Sequence, residues 1–181
     1  MAIERQALFF IIAGTNGTGK TTLLKKLISN KKRTLIVDAD GYEFSNVATI
    51  DVQDIDRIKK GKKARIIAPT PKDLEELTNF TNGNLVLDDC RYYIKARIEE
   101  SIRRLFVRRR QHNIDIFAVA HSLNEIPPTF WTFATHLVLF KTKDNADRLK
   151  QNFPRYNDVL KGHIKDINAH SNHHYYRVIP L

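Results

Sequence analysis

The sequence has few cysteines, no apolar run long enough to span a membrane and no recognisable signal peptide. It contains one cysteine, Cys90, so no disulfide framework can form and we expect a reducing compartment. Its longest apolar runs, residues 7–13 and 116–120, are far shorter than the roughly 18 residues that span a bilayer. Glu4 and Arg5 precede the first run and no small-residue cleavage site follows it, which argues against a signal peptide. We therefore expect a protein of the cytoplasm, or of a particle assembled inside a cell.

Acidic residues are also scarce relative to basic ones. The chain has 20 Asp and Glu against 30 Lys and Arg, a formal net charge of +10. Such a surplus favours polyanionic partners, nucleic acid above all, because neutralising phosphates releases their counterions; a merely basic surface is the plainer alternative. With 42% hydrophobic and 28% charged residues the composition is that of a folded globular protein, not a disordered one. The length and the lack of repeats or linkers predict a single domain over residues 1–181.

Short apolar runs alternate with segments of helical periodicity along the chain. Strands are predicted at residues 7–13, 33–38, 65–68, 84–89, 114–120, 136–141 and 174–179, and helices at 21–29, 71–80, 92–111 and 145–153. Residues 39–63 are predicted to be a loop or an edge segment, ending in the basic cluster Lys59, Lys60, Lys62 and Lys63. Strands that alternate with helices indicate an α/β fold with a mainly parallel sheet and right-handed crossovers.

A glycine-rich segment follows the first predicted strand and opens the first predicted helix. Its sequence, GTNGTGKT at residues 14–21, matches the phosphate-binding P-loop pattern GxxxxGK[ST]. The glycines let backbone N–H groups point at a phosphate, and the helix N-terminus favours its charge. We expect Lys20 to reach the β- and γ-phosphates as a catalytic cation and the Thr21 hydroxyl to ligate Mg²⁺. The predicted nucleotide-binding residues are Gly14, Thr15, Asn16, Gly17, Thr18, Gly19, Lys20, Thr21 and Thr22.

Two adjacent acids end the strand predicted at residues 84–89, which we expect to lie beside the P-loop strand. The carboxyl ends of parallel strands are where open α/β sheets place their sites. We expect Asp88 to hold Mg²⁺ through water, and Asp89 to polarise the attacking water. The alternative is that both acids only terminate the strand or cap the following helix.

Polar and basic residues flank the strand predicted at residues 114–120. His121 follows that strand and is expected to touch the γ-phosphate or its water; a surface or capping histidine is the alternative. Five arginines precede the strand, namely Arg103, Arg104, Arg108, Arg109 and Arg110. Such a run is a solvated face, a contact for polyanions, or the source of an arginine finger that reaches a neighbouring subunit's γ-phosphate.

The order of these motifs resembles the FtsK–HerA superfamily of DNA-pumping P-loop ATPases. The resemblance rests on the P-loop, LVLDD at residues 85–89, RRRQHNIDIFAVAHS at 108–122 and PPTFWTFATHLVLFKT at 127–142, and it covers residues 8–141. It is strongest to the genome-packaging ATPases of membrane-containing tailless viruses, which are related to the zonula occludens toxin-like ATPases of phage assembly. The phage proteins carry a transmembrane segment and this chain shows none, which favours the packaging branch.

The resemblance implies a three-layer RecA/FtsK-like fold that binds ATP and Mg²⁺. It further implies a homo-oligomeric ring that pumps double-stranded DNA into a capsid, with a capsid or virion-membrane protein as partner and a location in the virion or host cytoplasm. The family's finger arginine falls on Arg110, with Arg109 as the fallback. Asp89 stands where the family has glutamate, and His121 where it has an amide.

Two other classes of protein remain open at this point. A small nucleotide or metabolite kinase also fits one compact P-loop domain, and so does a regulatory P-loop module that does not hydrolyse nucleotide. An ATPase activity that DNA stimulates, with no phosphorylated small product, separates the motor from both.

Overall fold

The computed structural model describes residues 7–29, 32–93, 96–145 and 157–181. Within these ranges a seven-stranded sheet forms, in the order β3-β2-β4-β5-β1-β6-β7. The strands are β1 Phe9–Ala13, β2 Arg33–Asp38, β3 Lys63–Ile67, β4 Gly83–Leu87, β5 Ile114–Ala120, β6 His136–Phe140 and β7 Tyr176–Pro180. All neighbouring pairs are parallel except β6 and β7, which are antiparallel. The expected α/β fold with a mainly parallel sheet is confirmed.

Five α-helices connect the strands in the described residues. They are α1 Lys20–Leu27, α2 Pro71–Glu76, α3 Ala96–Arg108, α4 Pro128–Phe133 and α5 Asn157–Ala169. Helix α2 begins where the sequence leads one to expect, because Thr70 and Asp73 form a capping box and Pro71 occupies the first turn. None of the helices in the described ranges combines the length and apolar character that crossing a bilayer requires.

Apolar side chains on the two faces of the sheet form two separate cores. On one face, Ile12 and Val138 pack with Leu24 of α1. On the other face, helices α2 to α5 cover the sheet, and Phe9 meets Phe106 of α3 with ring centroids 4.6 Å apart. Strand β1 feeds both cores, as expected for an apolar run in the middle of a parallel sheet. The result is three layers, with α1 on one side of the sheet and the other helices opposite.

Several predicted boundaries differ from the structure. The acid-bearing strand β4 ends at Leu87, so both acids lie in the loop that follows it. The helix predicted over residues 92–111 divides into a 3₁₀ turn at Cys90–Tyr93 and helix α3, which ends at Arg108. The segment 39–63 contains a 3₁₀ helix at Val52–Arg57. Helices α4 and α5 were not predicted, and the helix predicted over 145–153 lies almost wholly outside the described residues.

The strand order corrects one expectation that bears on function. Strand β4 does not lie beside β1, because β5 pairs with both and separates them. After β4 the chain crosses over through α3, and the next strand, β5, enters the sheet between β4 and β1. Strand β5 therefore occupies the position beside β1 that we expected for β4. Since these strands are parallel, the segments after β1, β4 and β5 all emerge at the same carboxyl edge.

Candidate active site

The P-loop lies at this edge, between β1 and α1. Its first residue, Gly14, sits so close to β6 that an added Cβ would be 2.6 Å from the Phe140 Cβ. Gly19 has φ +97°, a left-handed conformation that side chains disfavour, and it caps the start of α1. The loop is also tied to β6 by the Thr15 N–H, which donates to the Lys141 carbonyl over 2.8 Å. The two glycines are therefore required by close approach and by backbone angle respectively.

Hydrogen bonds inside the loop hold it curled. The buried Thr18 donates its hydroxyl to the Thr15 carbonyl over 2.8 Å. The Lys20 ammonium is buried as well and donates to the carbonyls of Gly14 and Thr15, at 2.6 and 2.9 Å. Burial lowers the pKa of Lys20, opposed by the acids Glu43, Asp88 and Glu125. An ammonium has three donors, so one remains for a phosphate.

A cavity of about 480 Å³ opens over this loop. Six of the nine predicted nucleotide-binding residues line it, namely Asn16, Gly17, Gly19, Lys20, Thr21 and Thr22. Gly14, Thr15 and Thr18 lie behind them and shape the loop. Asp88, Asp89 and His121 line the same cavity, at its other side. The structure therefore brings six predicted P-loop residues, the acid pair and the β5 tip together around one cavity.

Asp88 faces two further acids that the sequence did not single out. Burial raises its pKa to about 7, and the negative charges of Asp38 and Glu43 add to the effect. Asp38 is fully buried at the end of β2, where it accepts the Gly41 N–H at 2.7 Å and pairs with Arg65 at 3.3 Å. This side of the cavity thus concentrates negative charge without enough positive charge to balance it.

The residues present fit a magnesium ion. Thr21 and Asp88 offer a hydroxyl and a carboxylate oxygen in one cavity, the hard ligands that Mg²⁺ prefers. The raised pKa of Asp88 marks a carboxylate whose charge a nearby cation would stabilise. Among the described residues no three His, Cys, Asp or Glu side chains form a ready-made metal cluster. Mg²⁺ is usually bound by one or two protein ligands together with phosphates and water, which this site allows.

Asp89 is held by a residue that the sequence did not single out, Arg91. The carboxylate accepts the Arg91 backbone N–H at 3.2 Å, Nε at 3.0 Å and Nη2 at 3.0 Å. Arg91 also contacts Glu125 at 3.3 Å. Burial works against the charged form of Asp89, but the hydrogen bonds and charge of Arg91 outweigh it and lower the pKa. A carboxylate has about four acceptor sites, so roughly one stays free for water.

His121 stands at the tip of β5, between the acids and the P-loop. Its Nδ1 is buried and has no hydrogen-bond partner among the described residues. The next residues are anchored from the loop after β6: Asp144 accepts the Ser122 hydroxyl at 2.5 Å and the Leu123 N–H at 2.7 Å, and it also contacts Thr142. The strand tip is therefore fixed, and the His121 ring lines the cavity with its buried Nδ1 unpaired within the described part of the chain.

Arg110 is the one predicted site residue that lies elsewhere. It precedes β5, whereas the cavity is at the end of that strand. Seven residues of β5 at about 3.3 Å each put roughly 20 Å between the two ends. Arg110 is exposed, while Arg109 is buried and donates from Nη1 to the Phe106 carbonyl at 2.9 Å. Arg109 therefore supports the core, and Arg110 cannot reach the cavity of its own chain.

Some of the missed residues had a signal in the sequence. Asp38 ends a predicted strand, and parallel strands that end at one edge place such acids together. Arg91 lies two residues after Asp89, a spacing that carries no general meaning. His174 lines the cavity from the far end of the chain, through the turn before β7, and nothing near the P-loop in sequence points to it.

Solved structures with the same fold include genome-packaging ATPases and the ATPase domains of EccC. The genome packaging NTPase B204 of Sulfolobus turreted icosahedral virus 2, in complex with AMP, aligns with a TM-score of 0.71 and 14% identity over 96% of this chain and 92% of that one. B204, described as the DNA-packaging ATPase of Sulfolobus turreted icosahedral virus, gives 0.67 and 13%, over 96% and 97%. EccC (ATPases 2 and 3) of Thermomonospora curvata, with a signal sequence peptide, gives 0.51 and 13%, over 78% and 31%. At these identities the likeness shows a shared fold.

Comparison by sequence identifies the family. No curated protein sequence matches the chain significantly. The family model described as zonular occludens toxin (Zot) matches residues 8–168, which include the P-loop, both acids, the β5 tip and most of α5. The resemblance stated from the motifs is confirmed. This chain belongs to the zonular occludens toxin (Zot) family.

Proposed function

We propose that this chain is an ATP-hydrolysing motor that moves double-stranded DNA, packaging a viral genome into a capsid as a homo-oligomeric ring. One observation carries the proposal: a single cavity unites the P-loop with an acid pair and a polar strand tip. B204, which shares this fold, is described as a genome-packaging NTPase and a DNA-packaging ATPase, and this description supports a packaging function for the chain. These neighbours favour the motor over the small-molecule kinase. In this proposal residues 1–181 act as one ATPase domain.

In this proposal each residue of the cavity has a separate role in hydrolysis. The P-loop N–H groups and Lys20 bind the β- and γ-phosphates, and Thr21 and Asp88 would hold Mg²⁺, Asp88 through water. A bound Mg²⁺ would neutralise charge on the phosphate oxygens. Asp89, kept ionised by Arg91, orients the attacking water with its free acceptor site. His121 contacts the γ-phosphate or that water from the fixed tip of β5.

Arg110 supports assembly into a ring. A finger that cannot reach its own site acts on the site of a neighbour, and Arg110 is exposed at the edge of the sheet opposite the cavity. If each subunit offers its cavity on one side and Arg110 on the other, head-to-tail contacts close a ring with composite sites. Catalysis then depends on the assembly, as it does for arginine fingers supplied in trans.

Basic residues at the amino edge of the sheet support contact with DNA. Lys59, Lys60 and Lys62 are exposed just before β3, and Arg108 is exposed at the end of α3, ahead of β5. Two strands lie between β3 and β5, so the two basic groups are about 14 Å apart across the sheet. Both lie away from the nucleotide cavity, so they can bind DNA phosphates while nucleotide is bound.

The test is the ATPase rate with and without double-stranded DNA, on protein whose oligomeric state is measured in the same buffer. We expect DNA to stimulate turnover in the oligomer, and DNA affinity to fall linearly with salt on a log–log plot. Lys20→Ala serves as the control for contaminating ATPases. A protein that binds no ATP, or one that transfers phosphate to a small molecule, would overturn the proposal.

A further inference from the structure

The nucleotide cavity continues into a second pocket on the other side of the P-loop. This pocket, about 330 Å³ in volume, shares Gly19, Thr22 and His174 with the first. Its walls are Leu23 and Lys26 of α1 on one side and Phe140 and Tyr176 of the β6–β7 edge on the other. The two cavities form one groove that runs along the carboxyl edge of the sheet.

Strand order gives this groove a direction. On one side of β1 lie β2, β4 and β5, whose carboxyl ends carry the acids and His121. On the other side lie β6 and β7, which carry Phe140 and Tyr176. A nucleotide whose γ-phosphate points to the acids must lead its base away from them. Its base then lies over the first turn of α1, toward β7.

The chemistry of the second pocket suits a heterocyclic base. The rings of Phe140 and Tyr176 lie with centroids 5.0 Å apart, and Tyr176 is partly exposed toward the groove. His174 lies close over the loop: a Cβ built on Gly19 would be 3.3 Å from its Nδ1. Aromatic faces stack on any base, and the Lys26 ammonium can donate to a ring nitrogen or carbonyl.

The wall that carries these groups is anchored to the P-loop. Lys141, whose carbonyl accepts the Thr15 N–H, donates from Nζ to the His170 carbonyl at 2.5 Å. The His170 ring stacks on Tyr175 at 3.8 Å, and the His174 N–H donates to the Asn172 side chain at 2.9 Å. The turn before β7 is thus held at a fixed position beside the phosphate loop.

We propose that this pocket is the base subsite of the nucleotide site, in which the base stacks on Tyr176 beneath His174. The inference rests on the proposed function, since it requires the phosphates to occupy the P-loop. The chain offers a matched alternative at the opposite end of the groove, because Tyr42 is 84% exposed among the acids. The base binds at the Tyr176 end, and Tyr42 takes no part.

Equilibrium binding of Mg²⁺–ATP and of Mg²⁺–tripolyphosphate, which lacks a base, tests the subsite. The wild type binds ATP at least about tenfold more tightly, the scale of one base–aromatic stack. Tyr176→Ala removes most of that preference and leaves tripolyphosphate binding unchanged, whereas Tyr176→Phe, Tyr42→Ala and Val178→Ala behave like the wild type. Equal wild-type affinity for the two ligands, or a loss in Tyr42→Ala instead, overturns the subsite. No binding of either ligand overturns the proposed function itself.

Photolabelling of the wild type gives a second test that needs no variant. 8-Azido-ATP, activated by light in the presence of Mg²⁺, labels the peptide that contains His174 and Tyr176 or the first turns of α1. ATP in excess prevents the label. Labelling of the peptide that contains Tyr42 contradicts the assignment.

Discussion

The raised pKa of Asp88 predicts that its charge destabilises the protein when no metal or nucleotide is present. The pKa is about 7 in the folded chain, against an ordinary aspartate value of 3.8. Between these values the unfolded chain loses this proton first, so the free energy of unfolding falls as the pH rises. This decrease in the free energy of unfolding is complete once the pH exceeds the pKa of Asp88 in the folded chain. The difference between these two pKa values lowers the free energy of unfolding by about 4 kcal/mol, on the scale of about 1.4 kcal/mol per pH unit.

Asp88→Asn removes this charge and nearly preserves the shape of the side chain. We expect the variant to unfold with a free energy about 2–4 kcal/mol higher than the wild type at pH 8, and with less than half of that advantage at pH 5. Urea unfolding in EDTA, without nucleotide, measures the difference. Mg²⁺–ATP should stabilise the wild type more than the variant, because the variant lacks the metal-holding carboxylate.

Asp89→Asn is the matched control, with the opposite sign. Arg91 lowers the pKa of Asp89, so its charge stabilises the fold at neutral pH and this contribution is lost as the pH falls through the folded pKa. Arg91 is half-exposed, so solvent screening limits the effect to under about 1 kcal/mol. If Asp88→Asn were no more stable than the wild type at pH 8, or kept its full advantage at pH 5, the reasoning about the acid cluster would be refuted.

Three further predictions concern turnover. Lys20→Ala should lower the ATPase rate by at least about 10², the scale of one lost electrostatic donor, and an unchanged rate would remove the P-loop from the mechanism. Arg91→Ala should raise the pKa of Asp89 and so move the acid limb of the pH–rate profile to higher pH, whereas a purely structural arginine would leave the limb in place. Arg110→Ala and Asp89→Asn should each be inactive, yet mixed oligomers should regain partial activity; no recovery on mixing would dismiss a trans finger at this position.

Features that depend on short stretches of chain were predictable. The P-loop needs only the order strand, glycine-rich turn and helix, so its position and most of its cavity-lining residues follow from local spacing. Asp88 and Asp89 could be placed at the carboxyl edge because they directly follow an apolar run. The strands that neighbour this segment in the sheet could not be predicted, because the insertion of β5 between β4 and β1 depends on how whole strands compete for pairing partners.

Features that join distant segments were not predictable. The hydrogen bonds between Arg91 and Asp89 form because a 3₁₀ turn follows Asp89 and because the backbone of Asp89 is left-handed, with φ +51°. Asp144 fixes the β5 tip from another loop, across a separation of 22 residues at Ser122. His174 reaches Gly19 because β7 folds back antiparallel on β6. The sequence predicts a strand at residues 174–179, but it does not indicate the strand with which this one pairs.

The central place of β1 has a consequence for how the chain is made. Hydrogen bonds join Leu8 to Asp115 and Phe9 to Thr135, across separations of 107 and 126 residues. At about 5–20 residues per second, a ribosome needs roughly 6–25 s to deliver these partners. Strand β2 pairs with both β3 and β4, and these pairings do not have to wait for the later part of the chain. The apolar strand beside the P-loop therefore stays unpaired longest, and until β5 and β6 are made it is exposed to aggregation and to chaperones.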